Sequence, residues 1–303
     1  MQKEPSEFTM QNAYSAYAKL RTRRSCRSFT DKPIDDALLQ EIILTGLSAP
    51  TGGNLQPFSL IVVKDAAKKA VLAEVCGQGF IAKAAANLVF VMDWHKLSAY
   101  TRAKKAPFVA NRVLNHNIIA YADIICAAQL IEAAATMAGI GVCMVGNIMG
   151  SGERVGNLLK LPENTYPILM LSLGYPANIT DKRAPKLPAD VIVFEEEYPV
   201  FDEETLLAAY DKKYSGMIAP LPQDDAKREE MLAALRESYL TTYTAEETDM
   251  ILSEIEAAGA MNEMQRRFGI HYGAAGMLKK QEAFFSDMAR RNIIFGPTAE
   301  RKE

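Results

Sequence analysis

From residue 115 to about 138 the chain puts apolar side chains on nearly every face of one long predicted helix: Ile118, Ile119, Ala122, Ile124, Ile125, Ala127, Leu130, Ile131, Ala134 and Met137. A helix that is apolar all round has no face to give to water, so it must lie in a core or against another subunit. Its cover is legible on either side. Residues 58–63 and 87–92 are short runs rich in β-branched and aromatic residues, without Pro or Gly, which suits central strands. Gly139 closes the helix, residues 141–146 read as a strand running into a glycine turn, and residues 166–173 read as a strand closed by Gly174-Tyr175-Pro176. Residues 191–194, all β-branched or aromatic, are expected to form a last strand.

Helix signals fill the rest. Ile34 and Leu39 flank Asp35 in the positions of a hydrophobic staple around an N-cap, and Leu38, Leu39, Ile42, Ile43 and Leu47 follow at helical spacing. After about Phe201 the strands are expected to stop: segments 203–214, 225–241, 245–258, 260–268 and 273–292 read as helices, with a capping box at Thr244-Ala245-Glu246-Glu247 and Gly259 as a stop. Pro220-Leu221-Pro222-Gln223-Asp224-Asp225 is the best linker candidate. The expectation is an α+β domain over residues 1–200 and a helical C-terminal extension over 201–303, whose aromatic and methionine residues at helical spacing read as core.

Composition narrows the function classes. A net charge of -3 and a pI near 5.8 give no basic field for nucleic acid. No uninterrupted apolar run reaches the roughly 18 residues that cross a bilayer, and the first residues do not form a secretory signal. Cys26, Cys76, Cys126 and Cys143 stand far apart without a CxxC pair, which reads as reduced thiols in a cytoplasmic protein with no metal site. His95, His116 and His271 fall in no triad or metal motif.

Two short segments carry chemistry. Arg23-Arg24-Ser25-Cys26-Arg27-Ser28 offers three guanidiniums and two hydroxyls, and Arg23, Ser25 and Arg27 would share one side of an extended stretch. Taken alone this is an ordinary basic turn or a phosphate site. Pro50-Thr51-Gly52-Gly53-Asn54-Leu55-Gln56 lies between a predicted helix and a predicted strand, where glycine lets backbone N–H groups approach a ligand. Asn54 and Gln56 each add a donor and an acceptor for a ring with alternating C=O and N–H groups. Neither segment is a Walker A loop or a GxGxxG fingerprint.

The ordered combination of Arg23-x-Ser25-x-Arg27, Pro50-x-x-Gly53-Asn54-x-Gln56-Pro57-Phe58, the apolar helix closed by Ala138-Gly139-Ile140-Gly141, Met144-Val145-Gly146, and Leu173-Gly174-Tyr175-Pro176 resembles the FMN-dependent nitroreductase family over roughly residues 20–200. The resemblance implies a central, mostly antiparallel sheet flanked by helices, and a homodimer with FMN at the interface. It implies that NADH or NADPH supplies hydride, which passes through the flavin to a small organic acceptor such as a nitroaromatic or quinone in a ping-pong scheme. A more specialised relative (a reductive dehalogenase or flavin-consuming enzyme) and a non-catalytic flavin-binding protein are the alternatives. Residue by residue, Arg23 and Ser25, with Arg24 beside them, inherit the phosphate and ribityl chain, and Arg27 the ring's pyrimidine side. Pro50, Thr51, Gly52, Gly53, Asn54 and Gln56 would line the isoalloxazine or ribityl chain, often from the partner subunit. Val145 and Gly146 would bring a backbone N–H to the ring. Arg183 would be the late basic residue on the phosphate, with Lys182 and Lys186 as alternatives, and residues 191–194 would be the strand that crosses to the partner. No side chain is assigned to proton transfer, since the flavin carries the chemistry.

Overall fold

Asp35 caps the first helix of the core as its staple predicts, accepting a hydrogen bond from the Leu38 N–H at 3.0 Å. The structure is a computed structural model that describes residues 10–178 and 184–294. In chain order the elements begin with α1 (Met10–Arg21), α2 (Asp36–Leu47), β1 (Phe58–Val63), α3 (Ala66–Cys76), α4 (Phe80–Lys83), β2 (Ala86–Asp93) and α5 (His95–Ala103). They continue with α6 (Leu114–Met137), β3 (Gly141–Val145), α7 (Gly152–Leu159), β4 (Thr165–Gly174), α8 (Glu203–Tyr214), β5 (Ile218–Pro220) and α9 (Asp225–Tyr239). The last are α10 (Ala245–Ala258), β6 (Ala260–Asn262), α11 (Glu263–Arg266) and α12 (Ala274–Arg290).

The chain forms two compact units, residues 1–180 with 283–303, and residues 181–282. The first holds a four-stranded sheet in the order β1-β2-β4-β3, antiparallel throughout. Every residue of β2 and β4 is buried, as their unbroken apolar runs require. The strand period of two sorts them between faces. Leu88, Phe90 and Met92 pack with Ala120, Ile124, Ala127 and Ile131 of α6, while Val89 and Val91 pack with Leu72 and Cys76 of α3 and Val155 of α7. By length and composition α6 could cross a bilayer, but here it is the core helix of this unit. It is covered on one side only: Leu114, Ile118, Ile119, Tyr121 and Met137 are exposed in the protomer.

Residues 287–293 complete this unit. Met288 and Ile293 are wholly buried, and the Tyr166 hydroxyl lies 2.8 Å from a carboxylate oxygen of Asp287. Burial first, and the Asp287 carboxylate second, push the Tyr166 phenol well above its ordinary range. Arg291 donates to the carbonyls of Thr165 and Leu161, and Asn111 donates to the Asn292 carbonyl at 2.8 Å.

The second unit has its own small core of Leu221, Leu235, Leu252, Ile255 and Met261. The Thr244–Glu247 capping box is present. Three expectations are corrected here. Strands do not stop after Phe201, because β5 and β6 pair antiparallel, with Ala219 opposite Met261. Residues 260–262 are therefore strand, and the helix starts only after Asn262, which forms its own capping box with Gln265. Residues 191–194 are not a strand: the Ile192 and Val193 N–H groups turn back to the Ala189 carbonyl, just after Pro188, and among the described residues no neighbouring strand offers a ladder. The proline-rich stretch at 220–225 lies inside this unit, with Leu221 in its core.

Candidate functional site

The arginine segment is built onto the edge strand β3. Ser25 bridges Val142 in parallel, the Cys26 N–H donates to the Val142 carbonyl at 2.8 Å, and Phe29 bridges Pro176. Two glycines permit this close approach. A Cβ on Gly141 would lie 2.7 Å from Cys26 Sγ, and one on Gly174 would lie 2.8 Å from the Phe29 ring. With Cys26 turned toward β3, the flanking Ser25 and Arg27 are exposed, as alternation in an extended stretch demands.

The result is a cleft of about 450 Å³ walled by Lys19, Arg23, Arg24, Ser25, Arg27, the turn from Gly139 to Val142, Pro176 and Asn178. Lys19 donates to the Met137 carbonyl at the C-terminal end of α6, a favourable place for a cation. Arg23 pairs with Glu132 at 2.8 Å. Arg24 and Arg27 have no carboxylate partner among the described residues. Beneath them, burial raises the Cys143 thiol; Arg27 and Arg23 lower it, and Cys26 and Glu132 raise it.

The second segment, Pro50 to Gln56, has an unusual backbone. Gly53, Asn54 and Gln56 have φ of 58°, 54° and 49°, and two of these are not glycine. The Gly52 N–H donates to Asp123 Oδ1 at 2.9 Å, and a Cβ on Gly52 would lie 2.4 Å from Ile119 Cγ2. The Asn54 and Gln56 side chains are exposed and make no hydrogen bond among the described residues. Thr51 Oγ1 and Asp123 Oδ2 are buried without a hydrogen-bond partner among the described residues, a costly state that a ligand or a second subunit can relieve.

Asp123 and Glu132 are the only carboxylates of α6, both buried, and each holds one of the two ligand-directed segments. Nine residues separate them, about 13 Å along the helix. None of Pro50, Thr51, Gly52, Gly53, Asn54 and Gln56 borders the arginine cleft. Nor do Val145 and Gly146, which end β3 about 13 Å from Gly141. Within one protomer the predicted residues therefore form separate patches. Lys182 and Arg183 lie outside the described residues; Lys186 is exposed. Lys19, Asp123 and Glu132 went unread in the sequence, although two acids in an otherwise apolar helix are a signal that they serve something buried.

Comparison with known proteins identifies the family. The family model described as the nitroreductase family matches residues 20–175, which include both segments, α6 and the whole sheet. An oxygen-insensitive NADPH nitroreductase of Salmonella typhimurium is 34% identical over 191 residues, covering 63% of this chain and 77% of that protein. The NADPH:FMN oxidoreductase of Vibrio harveyi, solved in complex with NAD+, superposes with a TM-score of 0.60 at 28% identity, over 80% of this chain and 97% of that one. NfrA2 of B. megaterium superposes with a TM-score of 0.70 over 93% of this chain and 99% of that one; at 22% identity it speaks for the fold alone. With the motifs, the sheet order and these matches in agreement, the chain belongs to the nitroreductase family.

Proposed function

We propose that the protein is an FMN-dependent oxidoreductase that takes hydride from NADPH or NADH and delivers electrons to a small organic acceptor, such as a nitroaromatic or quinone, in a ping-pong scheme. The observation that carries this reading is the arginine–serine cleft: a chain of this family presents cations without carboxylate partners, an exposed hydroxyl and glycine-turn backbone in one concavity. That donor set fits a phosphate monoester, which charge-assisted guanidinium bonds favour. The relatives' names, an NADPH nitroreductase and an NADPH:FMN oxidoreductase, support the same donor and cofactor.

FMN, when bound, would supply the hydride chemistry. The chain supplies binding, orientation and charge. Arg23, Arg24 and Ser25 hold the phosphate end, and Arg183 is proposed to join them. Arg27 sets positive charge beside the ring's pyrimidine side, which favours negative charge developing there. Thr51, Gly53, Asn54 and Gln56 would offer backbone and amide groups to the ring and ribityl chain, with Pro50 and Gly52 shaping the loop, and Val145 and Gly146 would offer a backbone N–H to the ring.

The separation of these patches along α6 supports a homodimer in which the arginine cleft of one protomer meets the Pro50–Gln56 loop of the other. The exposed apolar face of α6, with Ile118 at 56% exposure beside the loop's neighbour Ile119, supports the same arrangement. Four free cysteines suit a cytoplasmic setting. The test is direct. Purified protein should be yellow, release FMN on denaturation, and bleach with NADPH under anaerobic conditions; colourless protein that takes up no added FMN would sink the reading.

A further inference from the structure

One wall of the cleft, Arg23, is held from behind by a group of the wrong sign for an anion site. Glu132 of α6 does not itself line the cation-rich concavity, but it pairs at 2.8 Å with Arg23, which does. Its side chain is 2% exposed, while Arg23 is about one-third exposed and borders the cleft. The carboxylate is close enough to influence the buried Cys143 thiol, as are Arg23 and Arg27, so the three charged groups share one locality. Arg23 uses one N–H on Glu132 and keeps the rest of its fork for a ligand. An anion taken by that fork then stands across a single guanidinium from a fixed negative charge shielded from water, where like-charge repulsion is poorly screened.

We infer that Glu132 is a built-in counter-charge that loosens the arginine cleft's hold on a phosphate monoester, so that bound flavin exchanges with free flavin. The inference rests on the cleft being the phosphate site proposed above. Glu132 acts through Arg23 and is a positioning residue: it fixes the guanidinium and lowers its effective charge.

Glu132→Gln separates these two effects, because the amide oxygen still accepts from Arg23 while the charge is gone. The experiment measures release of FMN from purified holoprotein on serial dilution, by recovery of flavin fluorescence, with riboflavin as the phosphate-free control. The expected result is an FMN Kd lowered roughly tenfold in Glu132→Gln, with the riboflavin Kd unchanged. Glu132→Met, similar in volume and uncharged, should shift FMN in the same direction and covers the case in which the amide variant does not fold. If folded Glu132→Gln or Glu132→Met holds FMN no more tightly than wild type, while wild type prefers FMN to riboflavin, the counter-charge is refuted and the phosphate site stands. If wild type does not discriminate FMN from riboflavin, the phosphate site itself fails, and the inference with it.

Discussion

Arg23 carries two duties at once. It neutralises a buried carboxylate and faces a cleft built for an anion. Arg23→Ala should therefore weaken FMN binding by about 1.5–3 kcal/mol through the lost charge-assisted contact. It should also destabilise the fold by on the order of 3 kcal/mol, because Glu132 is left charged and unpaired in the interior. Calorimetry of Arg23→Ala beside the Arg23→Ala/Glu132→Gln double variant checks the second point: the double variant should recover most of the lost stability. A thiol gives a different prediction. Burial pushes Cys76 from its ordinary value of 9.0 up to about 11. The folded state thus favours the neutral form, and stability present below pH 9 should be lost as pH rises through 11. Urea midpoints measured from pH 8 to 11 should fall, and Cys76→Ala should flatten part of that slope.

Among elements, α6 decides most. Its pairing with α2 is so close that a Cβ on Gly46 would lie 2.1 Å from Ile131 Cγ1 and 2.9 Å from the Ala127 carbonyl oxygen. Gly46→Ala gains helix propensity but overpacks this contact, so the expected outcome is a net loss of about 1–3 kcal/mol in thermal or urea unfolding. Much of this was legible. The four strands of the main sheet, α2 and α6 follow from β-branched runs, a staple and an apolar surface, because burial on both faces leaves a plain mark on sequence. The arginine segment and the glycine loop were legible as types of chemistry, since cations and left-handed turns use few residue kinds. Their supports were not. An acid at position 123 or 132 has no sequence neighbour that reveals its partner, because Gly52 and Arg23 are brought to it only by packing. Helices α1, α3, α5 and α7 were not anticipated, and residues 191–194 misled because strand propensity is realised only beside another strand.

For the whole molecule, the open face of α6 and the split between the two ligand-directed patches belong to one expectation. Ile118→Asp should convert a homodimer to monomer in light scattering and, in the same preparation, release FMN, since each site would need both subunits. A dimer that dissociates and keeps its flavin would contradict the shared site. The last described residues make a further expectation. Asp287 holds Tyr166, and Arg291 and Asn292 hold the loops around Asn164 and Asn111. Ending the chain after Glu282 should leave those partners unsatisfied and give protein that is insoluble or melts without cooperativity. Because this seal follows the whole of residues 181–282, a ribosome working at roughly 5–20 residues per second holds the sheet unit unfinished for about 5–20 s after its last strand has emerged. For that interval the nascent sheet exposes the apolar surface that residues 287–293 later cover, and the enzyme's yield in a cell should depend on translation speed through its second unit as much as on the sequence of its first.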